Sequence, residues 1–197
     1  MPLSPPAARE AIHKRTYDFN GYRREDGLWD IEGRIRDSKT YSFENDHRGS
    51  VEAGDAIHEM EVRLTLDDGF EVVAAEAATH HAPYGLCPAV TPNFAKLTGL
   101  KVGPGWRESV RRRVGGVEGC THIVEMVFNM ATVAYQTMVP ILARERSSNR
   151  PGDVTGKKPA LLNSCHVFAS DGEVARESWP QFYTGDKPLP KTPQGKG

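Results

Sequence analysis

Two ten-residue stretches alternate between apolar and polar side chains, and no other feature constrains the fold as much. In Leu28-Trp29-Asp30-Ile31-Glu32-Gly33-Arg34-Ile35-Arg36-Asp37, Trp29, Ile31 and Ile35 fall on one side. Asp30, Glu32, Arg34 and Arg36 fall on the other. In the stretch Ile57 to Leu66, Met60, Val62, Leu64 and Leu66 make the apolar side, and Glu59, Glu61, Arg63 and Thr65 the wet one. A period of two is that of a half-buried strand. Asp67-Asp68-Gly69 reads as a hairpin turn with Gly69 at positive φ, and Phe70 to Ala78 as a third strand. One wet face implies an antiparallel sheet covered on one side only.

The cover follows in the chain. Thr91-Pro92 reads as the start of a short helix ending near Gly99, and Trp106 to Val114 as a second one. Arg111-Arg112-Arg113 then sits in a last turn, where cations suit the helix dipole. Residues 120–142 carry Ile123, Met126, Val127, Met130, Ala134 and Met138 at three-four spacing, the mark of a long amphipathic helix. Residues 144–159 read as a loop. Leu161 to Phe168 and Glu173 to Arg176 read as a closing hairpin across Ser170-Asp171-Gly172. The expected class is α+β: a three-stranded antiparallel meander packed by two short helices and one long helix, plus a C-terminal hairpin.

Residues 1–8 and 184–197 are rich in proline and small or charged residues and read as flexible tails around one domain, 9–183. The polar, glycine-containing stretch 38–55 is a long connection or wide hairpin, long enough to act as a lid. Lys+Arg (25) balance Asp+Glu (26), so no global field draws nucleic acid or an anionic membrane. No apolar run of about 20 residues stands out, and the N-terminus lacks a signal-peptide core. Three cysteines in 197 residues are not a disulfide scaffold. A reduced, cytoplasmic protein is expected.

The sequence contains no phosphate-binding P-loop, dinucleotide fingerprint, H-E-x-x-H or G-x-S-x-G. The chemistry-bearing residues cluster elsewhere. His80, His81, Tyr84 and Cys87 lie within eight residues of a strand-to-helix loop, and imidazoles titrating near neutrality suit proton transfer or metal ligation. Cys120 stands where the long helix begins, with His122 two residues on. The positive end of the helix dipole there would stabilise a thiolate. His122 and Glu125 share a helix face. Each cluster also has a plainer reading, as capping groups and small core residues. Asp30 and Glu32 share a strand face and read more simply as solvated than as catalytic carboxylates. Cys165 and His166, adjacent on an expected strand, would face opposite sides.

Four segments together resemble the bacterial domain family of unknown function 2889, over about residues 10–182. They are Asp26-Gly27-Leu28-Trp29-Asp30-Ile31-Glu32-Gly33, Pro83-Tyr84-x-x-Cys87, Gly115-Gly116-x-x-Gly119-Cys120-Thr121-His122 and Asn163-Ser164-Cys165-His166. The resemblance implies a bacterial cytoplasmic protein and carries no activity. A fainter similarity links Cys87 and Gly119-Cys120 to the first and last cysteines of NifU/IscU-type iron–sulfur scaffolds. The middle cysteine of that pattern has no counterpart here.

These readings converge on a small-molecule enzyme using acid–base chemistry without an organic cofactor. A lyase breaking a C–C bond, by deformylation or decarboxylation, or an isomerase needs little more. His81, Tyr84, Cys120 and His122 are the expected catalytic groups. Trp29, His80, Cys87, Trp106 and Met126 are expected to bind a hydrophobic or aromatic substrate in a pocket between sheet and long helix. Two alternatives stand beside it. One is a zinc or iron–sulfur protein using Cys87, Cys120, His122 and Cys165; the other is a non-catalytic assembly module. A homodimer through an edge strand fits all three.

Overall fold

Strand β2 (Trp29–Lys39) is one of two central strands in a four-stranded antiparallel sheet. It pairs with β1 (His13–Arg23) on one side and with β5 (Ala56–Leu66) on the other; β6 (Val72–His81) completes the order β1-β2-β5-β6. Between β2 and β5 a separate small hairpin forms from β3 (Phe43–Asn45) and β4 (Gly49–Val51). The structure is a computed structural model and describes residues 2–149, 158–159 and 161–185. The class is α+β.

The alternation is used as the period of two predicts. Trp29, Ile31, Ile35, Met60, Val62 and Leu64 are all buried on one face. Asp30, Glu32, Arg34, Glu61 and Arg63 populate the other, with Thr65 Oγ1 donating to Asp30 at 2.7 Å and Arg63 Nε to Glu32 at 2.8 Å. A groove of about 310 Å³ on this open face is lined by charge, including Asp18, Arg34, Glu61 and Glu76. The sheet gains a strand over the expected meander. β1 carries Tyr17 and Phe19 on its covered face, but every other residue on that face is polar or glycine. An edge strand needs so little apolar surface that its sequence signal is weak.

The turn after β5 closes through a hydrogen bond from Phe70 N to Asp67 O at 3.0 Å. Positive φ falls on Phe70 (66°) rather than on Gly69. A left-handed phenylalanine costs about 1–2 kcal/mol. Its ring stacks on Tyr135 at 4.8 Å and its carbonyl accepts from Val102 N at 2.9 Å, which offsets that cost.

The cover begins with a 3₁₀ run, Cys87–Leu97, earlier than the expected start at Thr91. Thr91 Oγ1 donates back to Pro88 O instead of capping a helix. Helix α1 (Trp106–Val114) forms where expected, and its arginines are engaged. Arg111 lies over the Phe128 ring, Arg112 bonds Glu108, and Arg113 bonds Lys96 O. Helix α2 (Thr121–Asn149) runs through Pro140 and past the expected loop start at 144. Proline removes one helix donor, yet the buried stripe from Ile123 to Leu142 holds the helix on the sheet. By length and composition alone, Thr121–Glu145 of this helix is long and apolar enough to cross a membrane, a test that the core helix of a globular fold also passes. That apolarity escapes a search for an uninterrupted run.

The chain divides into two compact units, 1–149 and 150–197, and the division falls inside the stretch 9–183 expected to be one domain. In the second, no strand forms among the described residues. Residues 166–168 make a 3₁₀ turn and Glu173–Ser178 forms helix α3. Asn163 takes positive φ (63°) and accepts from Ser170 N at 2.8 Å. This closes a loop where a hairpin ladder was expected. Trp179 packs on Phe168 at 5.6 Å. Residues 150–157 of the expected loop and 186–197 of the expected tail lie outside the described residues.

Candidate functional site

Asp37 sits two residues beyond Ile35, so strand parity turns it toward the covered face. It is 2% exposed. Burial opposes its ionisation, but two hydrogen bonds from Arg15 and the Arg15 charge outweigh that. Contacts from His58 and His13 add to the effect, and the carboxyl is held below the usual range. Arg15 comes from β1, directly opposite Asp37, and donates through Nε and Nη2 at 2.7 Å each. A paired, buried carboxylate of this kind stays charged and orients what surrounds it.

Two further imidazoles reach the same carboxylate. His58 has the parity of Met60 on β5, and its Nδ1 lies 3.1 Å from Asp37 Oδ2. His122, on the first turn of α2, brings Nε2 to 3.7 Å from the same oxygen. The His58 and His122 rings lie 4.0 Å apart, centroid to centroid. Burial lowers the pKa of both. His58 is lowered further by its neighbour His122, and His122 by Arg15; Asp37 acts in the opposite direction on both, and the net effect favours the neutral imidazoles. His13 Nε2 closes the group at 3.1 Å from Asp37 Oδ1.

A cleft of about 370 Å³ opens beside this cluster at the start of α2, lined by Arg111, Val114, Cys120, Val124, Glu125 and Phe128. Two lining residues touch the cluster. Cys120 Sγ lies 3.8 Å from His122 Nδ1, and Glu125 Oε2 lies 3.5 Å from Arg15 Nη1. Tyr17 OH donates to the same Glu125 oxygen at 3.4 Å. The imidazoles, the buried carboxylate and Arg15 thus lie behind two residues of the cleft wall, Cys120 and Glu125, which touch them.

The expected site residues divide. Cys120 and His122 belong to this cluster. His80 and His81 lie on the open face of the sheet, where His80 Nε2 pairs with Glu61 and His81 Nδ1 with Glu59, both at 3.0 Å. Glu59 is also bonded by Arg34. Tyr84 is exposed and packs on His47 at 4.9 Å. Trp29, Trp106 and Met126 are core residues rather than pocket walls: Trp29 Nε1 donates to Asp68 Oδ1 at 2.9 Å, Trp106 Nε1 to Val127 O at 3.0 Å, and Met126 is fully buried. Among the described residues, the one group spaced to hold a metal is Asp37, His58 and His122. Of the expected ligands only His122 is in it. Cys87 lies outside, and Cys165 belongs to the second unit. Asp37, His58 and Arg15 were not foreseen. The available signal was their parity: charged residues in register with Ile35, Met60 and Tyr17.

Residues 13–136 match the family described as "Protein of unknown function (DUF2889)". The chain belongs to this family. The DUF2889 match spans β1 to the middle of α2, and so takes in Arg15, Asp37, His58, Cys120 and His122. No curated protein and no solved structure matches the chain. The likeness to iron–sulfur scaffolds therefore has no structural neighbour behind it. The DUF2889 family carries no stated activity, so function rests on the site's own chemistry.

Proposed function

We propose that this chain is a small-molecule enzyme that works by acid–base chemistry without an organic cofactor. The reaction class is a lyase cleaving a C–C bond, by deformylation or decarboxylation, or an isomerase. The observation that carries the reading is the buried Asp37 carboxylate with His58 and His122 gathered on one of its oxygens. A neutral imidazole accepts a proton, and an ionised carboxylate beside it stabilises the imidazolium that results. Arg15 keeps Asp37 ionised throughout. Phe128, Val114 and Val124 give the neighbouring cleft apolar walls, which favours a hydrophobic or aromatic substrate. A cytoplasmic location, a homodimer through an edge strand, and no nucleic-acid or membrane partner complete the proposal.

The test is turnover of aromatic β-hydroxy aldehydes, β-hydroxymethyl phenols and β-keto acids by the purified chain. Where one is consumed, His122→Ala and His58→Ala should each lower kcat by about 100-fold or more, the usual worth of a positioned acid or base. His80→Ala and His81→Ala should leave the rate near that of the parent. Full activity in both His58→Ala and His122→Ala would end this reading.

A further inference from the structure

We infer that Asp37, His58 and His122 form a binding site for one divalent transition-metal ion of the zinc and cobalt class. One ligand atom from each residue lies within 4.8 Å of the other two. His58 Nδ1 is 3.1 Å and His122 Nε2 3.7 Å from the same Asp37 oxygen. Metal–ligand bonds of about 2.0–2.2 Å in a tetrahedron place ligand atoms roughly 3.3–3.5 Å apart, between these two separations. At 3.7 Å, His122 Nε2 is too far from Asp37 to share a hydrogen bond, and no other described residue bonds it. The nitrogen thus faces a carboxylate oxygen across a gap that a small cation would close.

The surroundings specify the ion. Arg15 offsets part of the acidic charge around the site, since it pairs with both Asp37 and Glu125, and only one carboxylate oxygen faces the gap between the two imidazoles. Mg²⁺ and Ca²⁺ are held by anionic oxygens and gain little here. Zn²⁺, Co²⁺ and Ni²⁺ bind neutral imidazole well and remain candidates. The outer groups that steady such a site are present too. Cys120 Sγ contacts the other nitrogen of His122, and Arg15 Nε and His13 Nε2 hold the other oxygen of Asp37. Three protein ligands leave a coordination position for water or substrate. When bound, the ion would supply a Lewis acid beside the cleft. An imidazole nitrogen that holds the ion no longer accepts a proton, so this role would replace proton transfer at His58 Nδ1 and His122 Nε2 in the proposed function, whereas binding itself does not depend on that reading.

The experiment uses the full chain without a polyhistidine tag, stripped with chelator. It is titrated with Co²⁺ followed by visible absorption, with Zn²⁺ by calorimetry, and with Mg²⁺ as comparison. One equivalent of Co²⁺ and of Zn²⁺ should bind, and Mg²⁺ should not saturate. His58→Ala and His122→Gln should each weaken binding at least about tenfold, while His80→Ala and His81→Ala, on the open face, should leave it unchanged. Circular dichroism confirms that each variant is folded; if His58→Ala is not, His122→Gln carries the test. No saturable binding, or equal affinity in the folded ligand variants, overturns the inference. Loss of turnover in those variants without any metal binding would leave the acid–base reading standing and remove this one. Metal binding with full turnover in His58→Ala and His122→Ala would do the reverse.

Discussion

His58 and His122 lie with ring centroids 4.0 Å apart and planes tilted by 31°, although one belongs to β5 and the other to α2. Their contact ties the start of the long helix to the sheet at the point where Asp37 is buried. The docking of α2 and the burial of Asp37 are thus coupled at this corner.

Asp37→Asn removes the charge that Arg15 grips with two 2.7 Å bonds. Hydrogen bonds to charged groups and broken buried ion pairs indicate a loss of about 2–3 kcal/mol. Urea denaturation measures it. A loss below about 0.5 kcal/mol would place Asp37 with ordinary surface positions.

Trp106→Phe tests whether this indole is core or pocket. It deletes the bond to Val127 O and leaves a small void beside α2, at a cost of about 2–3 kcal/mol. Thermal unfolding should fall accordingly. Unchanged stability would return Trp106 to the substrate pocket.

A Cβ on Gly119 would run into the Val114 carbonyl oxygen at the end of α1. Gly119→Ala must push α1 and the start of α2 apart, costing about 1–3 kcal/mol. Because Cys120 follows directly, alkylation of Cys120 should change its rate in the same variant. An unchanged rate together with unchanged stability would show that the junction adapts freely.

On the open face the expectation reverses. Arg63 bonds Glu32 at 2.8 Å, but both side chains are substantially exposed. Arg63→Ala should cost no more than about 1 kcal/mol. A larger loss would mean that this face is covered in solution.

The alternation around Trp29 and Met60 and the three-four stripe from Ile123 to Met138 determine two central strands, a covered face and a long helix by themselves. Each pattern repeats over many residues and needs no partner to be recognised. β1 was not legible, because an edge strand with Tyr17 and Phe19 as its main apolar residues resembles a polar tail. The second unit misled through brevity, since the four residues at 173–176 fit one turn of helix as well as a short strand. For the site, local sequence density pointed to His80 and His81, yet an irregularity in the β5–β6 register at Glu59/Met60 lets both adjacent residues reach open-face acids. The residues that meet instead are Arg15, Asp37, His58 and His122, from three strands and a helix. Strand register and the docking of α2 create that neighbourhood. Those are long-range contacts, and a local pattern in the chain does not encode which distant side chains share a carboxylate.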